Sequence, residues 1–494
     1  MSEGWSESWG CGGGECMDIR RWYVGVIMPI AAPGTPGAAQ FDRVTSISKE
    51  DPAMVPEDLL EAVRSVRRNT QEHNSEGYTP LTERRPFMRR TFGKLEPHSV
   101  RTCVCSLAAT SLGAGALALP YAFSLVGLGL GLVTMTIAGL VSALSLQVLM
   151  VGARYTNMKS YAAVLELSGG SAKWSFGLDM VLLLNGIGSV TCCLIFLSDF
   201  LPALVLNPPA FLGFEGVVFP RGWAVTASAL AVWPLGIQPN ISALRYVALA
   251  VPFVLLLTIL IVAGDTPELH RNLRAAGGRV VAWDFDIRRW LQAVAIMVNA
   301  YANHMNAIPC VNQLDRPSVM RIVKSTLYGN FLVWALLSAL GIAGYMSWGS
   351  ATQGDFLLNY PDTWAEIWLC RLMLALLVYF VLPVALFPTA RSCAQLLYTV
   401  TGQASPEVGN KAQALSATLV LAMCTFIASN VSDVAAVLGV LGGVFASSLM
   451  FWFPAVVFRR LLWPAMPKFF RQYVFLAMVS LGVLGWASVA IKFV

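Results

Sequence analysis

Two apolar stretches carry residue types that could hold a polar solute inside a membrane. The first, SLAATSLGAGALALPYAFSLVG (residues 106–127), sets Gly113 and Gly115 two apart, with Pro120 five further on. Glycine lowers helix preference and proline removes a backbone donor, so a helix through this stretch is expected to break. Within a bilayer a break survives only where protein or a water-filled cavity takes up the freed polar groups. The stretch therefore reads as half of a binding site, the alternative being a kinked packing helix whose glycines serve close contact. The second stretch, WLQAVAIMVNAYANHMNAIPCVNQL (residues 290–314), places Asn299, Asn303, His304 and Asn306 at mid-depth, and Pro309 follows them. Three amides and an imidazole are costly against lipid, so they must face inward. Their alternative role is to hold helices together by hydrogen bonds.

The elements that position these residues follow from hydropathy. The 494-residue chain is 56% hydrophobic and 13% charged, with a mean hydropathy of +0.62; soluble domains carry about 25% charged residues. Several apolar runs exceed the ~18 residues that span a bilayer as helix. The chain is an all-α polytopic membrane protein for which eleven transmembrane helices are expected. Spans 1 to 5 fall at about 103–124, 128–151, 173–202, 221–238 and 243–264, and a short helix at about 161–167 precedes the third. After a polar outer loop, spans 6 to 11 fall at about 289–312, 320–347, 364–389, 411–429, 433–457 and 471–492. Residues 1–100 form a low-complexity, largely disordered tail with a short amphipathic helix expected at Pro56–Asn69 (PEDLLEAVRSVRRN). The remaining units are 101–264, 265–459 and 460–494. With the N-terminus in the cytosol, the inner segments collect most of the 34 basic residues, including Arg154, Lys159, Lys173, Arg391, Arg459 and Arg460. Arg371, near the outer end of span 8, is expected to snorkel outward.

Interruptions in the first and sixth spans are the mark of an inverted-repeat transporter with its site at the bilayer midplane. Five spans per repeat is an odd number, so the second repeat enters the membrane upside down, and the two breaks meet across a pseudo-two-fold axis. The half-helices can then offer amides to a carboxylate and carbonyls to a cation or ammonium group.

Residues LGAGALALPYAF, SYAAVLELSGG, NAYANHMNAIPCVNQLDRP, GIAGYMSWGSATQGDFLLNYP and LPVALFPTARS, in that order over about 100–460, resemble the amino acid/auxin permease family. The resemblance implies a LeuT-like five-plus-five inverted repeat with an eleventh helix, moving amino acids by alternating access. It places the substrate backbone on Ser111, Gly113, Ala114 and Gly115. The family's aromatic stretch falls on Asn299, Ala300 and Tyr301, making Tyr301 a candidate lid; Asn299 makes the pocket more polar than usual, and Asn303 stands beside it. Sodium-coupled members carry Asn where this chain has Ala109, and Thr where it has Val381-Leu382. Neither replacement offers a side-chain oxygen, so a sodium site is not expected. The carrier is then expected to be driven by protons or to run as a facilitator; for proton coupling, His304 is the candidate, as the one histidine of four within a span. Asp179 and Asp199 in span 3 are alternative proton carriers.

No metal ligand set, cofactor motif or disulfide framework emerges from the ten cysteines and four histidines. With one intramembrane histidine there is no catalytic constellation, so an enzyme is not expected. The expected partners are an amino acid and the lipid bilayer, not nucleic acid, with a cytosolic protein on the tail as a further candidate. The expected residence is the plasma membrane or a vacuolar or lysosome-like membrane. The alternative to a carrier is an amino acid sensor on the same scaffold, signalling through the tail.

Overall fold

The structure, a computed structural model, describes residues 99–491 apart from 207, 209–215, 217, 219, 239–246, 315–316, 402–408 and 467. The amphipathic segment at Pro56–Asn69 and nearly all of the expected tail lie outside the described residues, as do Arg245 and Arg316. Every regular element among the described residues is helical. The first broken span consists of α1 (Val100–Ser111) and α2 (Leu119–Val126), joined through a tight turn at Ala114–Ala118. It is followed by α3 (Leu128–Thr156), the short α4 (Tyr161–Gly169), α5 (Ala172–Leu206), α6 (Arg221–Gly236) and α7 (Val247–Ala275). The second broken span is α8 (Ile287–Asn299) plus α9 (Ala307–Gln313). Then come α10 (Val319–Trp348), α11 (Ala365–Val400), α12 (Asn410–Asn430), α13 (Val434–Leu462) and α14 (Lys468–Ala490).

Among the described residues, eight helices are long and apolar enough to cross a membrane, or nine spans if α1 and α2 count as one. The 16 residues of α6 reach about 24 Å, short of a ~30 Å hydrocarbon core. The two halves α8 and α9 are shorter still, with 13 and 7 residues.

Helix packing brings the two broken spans together. α2 lies against α8 at one end of the bundle, α1 lies against α9 at the other, and α13 packs on α8. Glycine permits the closest of these approaches: a Cβ on Gly442 would sit 1.8 Å from the Ala295 carbonyl of α8. Gly442 lies where α13 opens into wide i→i+5 turns over Leu441–Ala446.

Two expectations about the α2/α8 end are corrected. The polar stretch after residue 264 is not a loop at first, because α7 continues to Ala275. Thr266 Oγ1 bonds Ser347 Oγ at 3.1 Å, and His270 Nδ1 lies 2.9 Å from the Met346 carbonyl, so α10 holds these extra turns in helix. Arg371 does not snorkel outward; it is 1% exposed. Its Nη2 donates to the carbonyls of Leu357 (2.9 Å) and Tyr360 (3.1 Å), and Nη1 pairs with Asp362. An inward turn brings charge-assisted hydrogen bonds to two carbonyls of the α10–α11 connection, one of which, Leu357 O, also accepts from Tyr360 N at 3.2 Å; a solvated guanidinium could not do this.

The loop before α8 is stitched to the α2/α3 junction by main-chain bonds. Leu128 N donates to Val281 O, Gly129 N to Ala282 O and Asp284 N to Val126 O, at 3.1, 2.7 and 2.9 Å. Gly127, at φ +86°, sits so close that a Cβ would lie 2.7 Å from Val281 O. Both the backbone angle and the approach require glycine there.

Asp355, in the α10–α11 connection, caps Leu357 N through Oδ1 at 3.1 Å and leaves Oδ2 without a partner. Burial, aided by the nearby Asp199 carboxylate, pushes its carboxyl up from the ordinary 3.8 to about 8. The folded state therefore binds this proton more tightly than the unfolded chain does, and stability declines as pH rises between about 4 and about 8. Asp355→Asn keeps the capping oxygen and loses the titration. Thermal melts of the purified variant are expected to match the parent near pH 4, exceed it at pH 8 and vary less between; a parallel decline in both proteins contradicts this assignment.

Candidate functional site between the two broken spans

The first break forms because the helix has nowhere to continue. Leu112 leaves helical geometry at ψ 42° while its N–H still bonds Ala108 O, and Gly113 is fully extended at φ −87°, ψ −158°. The chain restarts as a tight turn and bends by 58° between the two halves. Both prolines sit after the break rather than in it: Pro120 is the second residue of α2 and Pro309 the third of α9. In a first helical turn the missing N–H had no intrahelical partner to lose. In the second span, α8 ends at Asn299 and the chain crosses Ala300–Asn303 before a short turn at His304–Asn306 leads into α9.

The two breaks face each other. The amide Nδ2 of Asn299 is 3.1 Å from where a Cβ on Gly115 would lie, and Leu438 of α13 is the next neighbour at 3.9 Å. Around Gly113 nothing lies within 4 Å of the corresponding position, so one side of the first break is open. Ser111, the last residue of α1, is buried and its hydroxyl has no partner. Asn299 is half-buried, and its side-chain amide has no hydrogen bond to the other described residues. A free hydroxyl, a free side-chain amide and helix-end main chain thus lie at the two breaks. Together they can accept from an ammonium group and donate to a carboxylate.

Asn303 and His304 are engaged differently. Asn303 is fully buried, and its Nδ2 donates to the Leu107 carbonyl (3.5 Å) and to Asn330 Oδ1 (3.3 Å). Asn330, on α10, passes the network on to Gly139 O and Ser142 Oγ of α3 at 3.1 and 3.2 Å. His304 Nε2 lies 2.7 Å from Ser145 Oγ, one helical turn along. Ser145 Oγ also lies 3.0 Å from Ser142 O, to which it can donate, and His304 Nδ1 has no partner. Asn306 Nδ2 donates to Thr110 Oγ1 at 2.7 Å, tying the start of α9 to the end of α1.

Tyr301, the candidate lid, packs against α3. Its hydroxyl donates to Met135 O of α3 at 3.2 Å, and its ring lies on Gly139, where a Cβ would meet the hydroxyl at 2.8 Å. A fully buried phenol needs an acceptor, and α3 supplies both the carbonyl and the room. Asp179 lies in the second turn of α5 and bonds none of the residues of the breaks. Asp199 pairs with Arg221 at 3.2 Å, and Arg221 also reaches Val431 O, so this carboxylate ties α5 to α6 and the end of α12. Residues unread as site members are Thr110, Ser142, Ser145 and Asn330. Their signal is a hydroxyl or amide well inside an apolar span, repeated three apart in Ser142 and Ser145.

The model of the family described as transmembrane amino acid transporter protein matches residues 96–494. The chain belongs to this transmembrane amino acid transporter family. Within it, AAT1 of Toxoplasma gondii, a candidate amino acid transporter, is 29% identical over 63% of this chain and 42% of its own length. Amino acid transporter AVT6C of Arabidopsis thaliana is 24% identical over 66% of this chain and 78% of its own. Vacuolar amino acid transporter 7 of Saccharomyces cerevisiae is 26% identical over 39% and 37%. The chain spans about half the length of the AAT1 relatives. Among solved structures, MhsT in complex with L-phenylalanine superposes with a TM-score of 0.52 at 12% identity, covering 79% of this chain and 97% of that one. A manganese transporter of Eremococcus coleocola gives 0.53 at 13% identity, over 83% and 89%. The fold of this family member is therefore LeuT-like.

The engagement of Tyr301 with α3 has a measurable consequence. Tyr301→Phe removes one buried hydrogen bond, worth about 1 kcal/mol. The melting temperature is expected to fall by a few degrees, while the dissociation constant for the transported solute changes by less than about twofold. A tenfold weakening with an unchanged melt would return the ring to the binding space.

Proposed function

We propose that the chain is a secondary transporter that carries amino acids by alternating access, sodium-independent and coupled to protons. The observation that carries the reading is the opposition of the two breaks: Gly115 on one span against Asn299 on the other, with the Ser111 hydroxyl unpartnered at the end of α1. Such a place suits the charged backbone of an amino acid, whose two ends demand donors and acceptors at once. We take the chain to cross the bilayer eleven times, with α6 as the fourth span and α8–α9 as the sixth. The spans divide into five, an inverted five and one more, with the α1/α9 end on the cytosolic side. Ala109 and Leu382 stand where sodium-coupled relatives place side-chain oxygens, and Leu382 is fully buried. This favours a carrier without sodium.

The test is uptake of a panel of radiolabelled amino acids into proteoliposomes, with sodium and pH gradients imposed separately. Saturable uptake that persists when choline replaces sodium and rises with an inward proton gradient is expected. Replacing Ser111 with Ala, or Asn299 with Leu, should raise KM at least tenfold. Uptake that collapses in choline removes the sodium-independent reading.

His304 is the group we assign to the proton, because its Nδ1 is free and only uncharged hydroxyls and amides join it to the first break. His304→Gln is expected to abolish accumulation driven by a pH gradient while solute exchange at equal pH continues. Unchanged accumulation would acquit the imidazole.

A further inference from the structure

The α1/α9 end holds a pair of thiols that the binding site does not use. Cys103 lies in α1 and Cys310 in α9, and these half-helices pack on each other, so the two broken spans each bring one sulfur to the same end. Both cysteines are free and 5% exposed. The two side chains adjoin each other; Ser325 of α10 adjoins Cys103, and Ser106 adjoins Cys310. Cys105 is two residues on, which on a helix puts it about 200° around the axis from Cys103 and away from the pair. The Thr110–Asn306 hydrogen bond also ties the end of α1 to the start of α9, and it is reversible.

We propose that Cys103 and Cys310 form a redox-closable clasp, in which a disulfide fastens α1 to α9 and arrests the carrier with this end shut. The functional half of the inference rests on the alternating-access reading, which requires α1 and α9 to part when the site opens at this end. Hydrogen peroxide is a sufficient oxidant. One thiolate attacks a peroxide oxygen, the O–O bond breaks, and a sulfenic acid and hydroxide form. The second thiolate attacks the sulfenyl sulfur and expels the second hydroxide. The two thiol protons convert both hydroxides to water, so two thiols and one peroxide give one disulfide and two waters. Burial restricts the pair to small oxidants, and in a reducing compartment the bond would be transient, as a switch requires.

The test uses the full chain in proteoliposomes treated with peroxide, then with or without dithiothreitol. Peptide mass spectrometry is expected to find Cys103 joined to Cys310, and uptake to fall at least tenfold and return on reduction. Cys103→Ser and Cys310→Ser should each transport normally and resist peroxide, whereas Cys105→Ser should remain sensitive. Absence of the linked peptide, or full uptake with the link formed in most molecules, overturns the clasp. If the untreated chain moves no amino acid, the transport reading fails, and the clasp is judged by melting instead. A link closing so long a loop should raise the melting temperature by several degrees, and an unchanged melt with the link in place overturns it.

Discussion

A main chain that leaves helix inside hydrocarbon strands its amides and carbonyls, and each stranded group must find a partner within the protein. Much of this molecule is the answer to that constraint. Asn303 Nδ2, at the second break, reaches the Leu107 carbonyl of α1 and Asn330 Oδ1, and Asn330 in turn bonds Ser142 of α3, while Asn303 Oδ1 has no partner. The breaks therefore support each other: removing Asn303 would leave Asn330 Oδ1 on α10 bare, at about 1–3 kcal/mol for an unsatisfied buried group. What the network leaves free is as informative as what it covers. Ser111, Asn299 and His304 Nδ1 keep unused polar atoms, and all three lie at or beside the breaks.

Close approach is the second requirement, and glycine meets it at positions that look unremarkable in sequence. Gly139 makes room for the Tyr301 ring, and Gly442 lets α13 rest on the backbone of α8. With α8 seated in this way, Asn299 is held against Gly115 from behind. The polar end of α8 is thus placed by packing among apolar helices rather than by bonds of its own.

The legible part of the fold is the part written in composition and punctuation. Long apolar runs gave the helices, and Gly113, Gly115 and the amides of the sixth span marked where two of them fail. The prolines signalled the same places for a different reason, since they initiate the second halves instead of ending the first. The α7 extension was hidden because Pro267 and the charges around it resemble a loop, and only contacts from α10 reveal that they can stay helical. Side-chain direction was the least legible feature. Tyr301 could have faced the break or α3, and the choice rests on a carbonyl at Met135 and a gap at Gly139, neither adjacent in sequence. Arg371 likewise turns inward onto two main-chain carbonyls and the Asp362 carboxylate, partners that hydropathy cannot display.

The seam between residues 281–284 and the α2/α3 junction is made of backbone atoms on both sides. Side chains at Val281 and Ala282 can therefore vary in size and polarity without undoing the seam, whereas Gly127 has no acceptable substitute. The loop and α2 are consequently fastened as a single piece. Under the alternating-access proposal, a rigid binder such as a nanobody raised against that loop would hold α2 through this seam, giving a handle on the conformation of the first broken span.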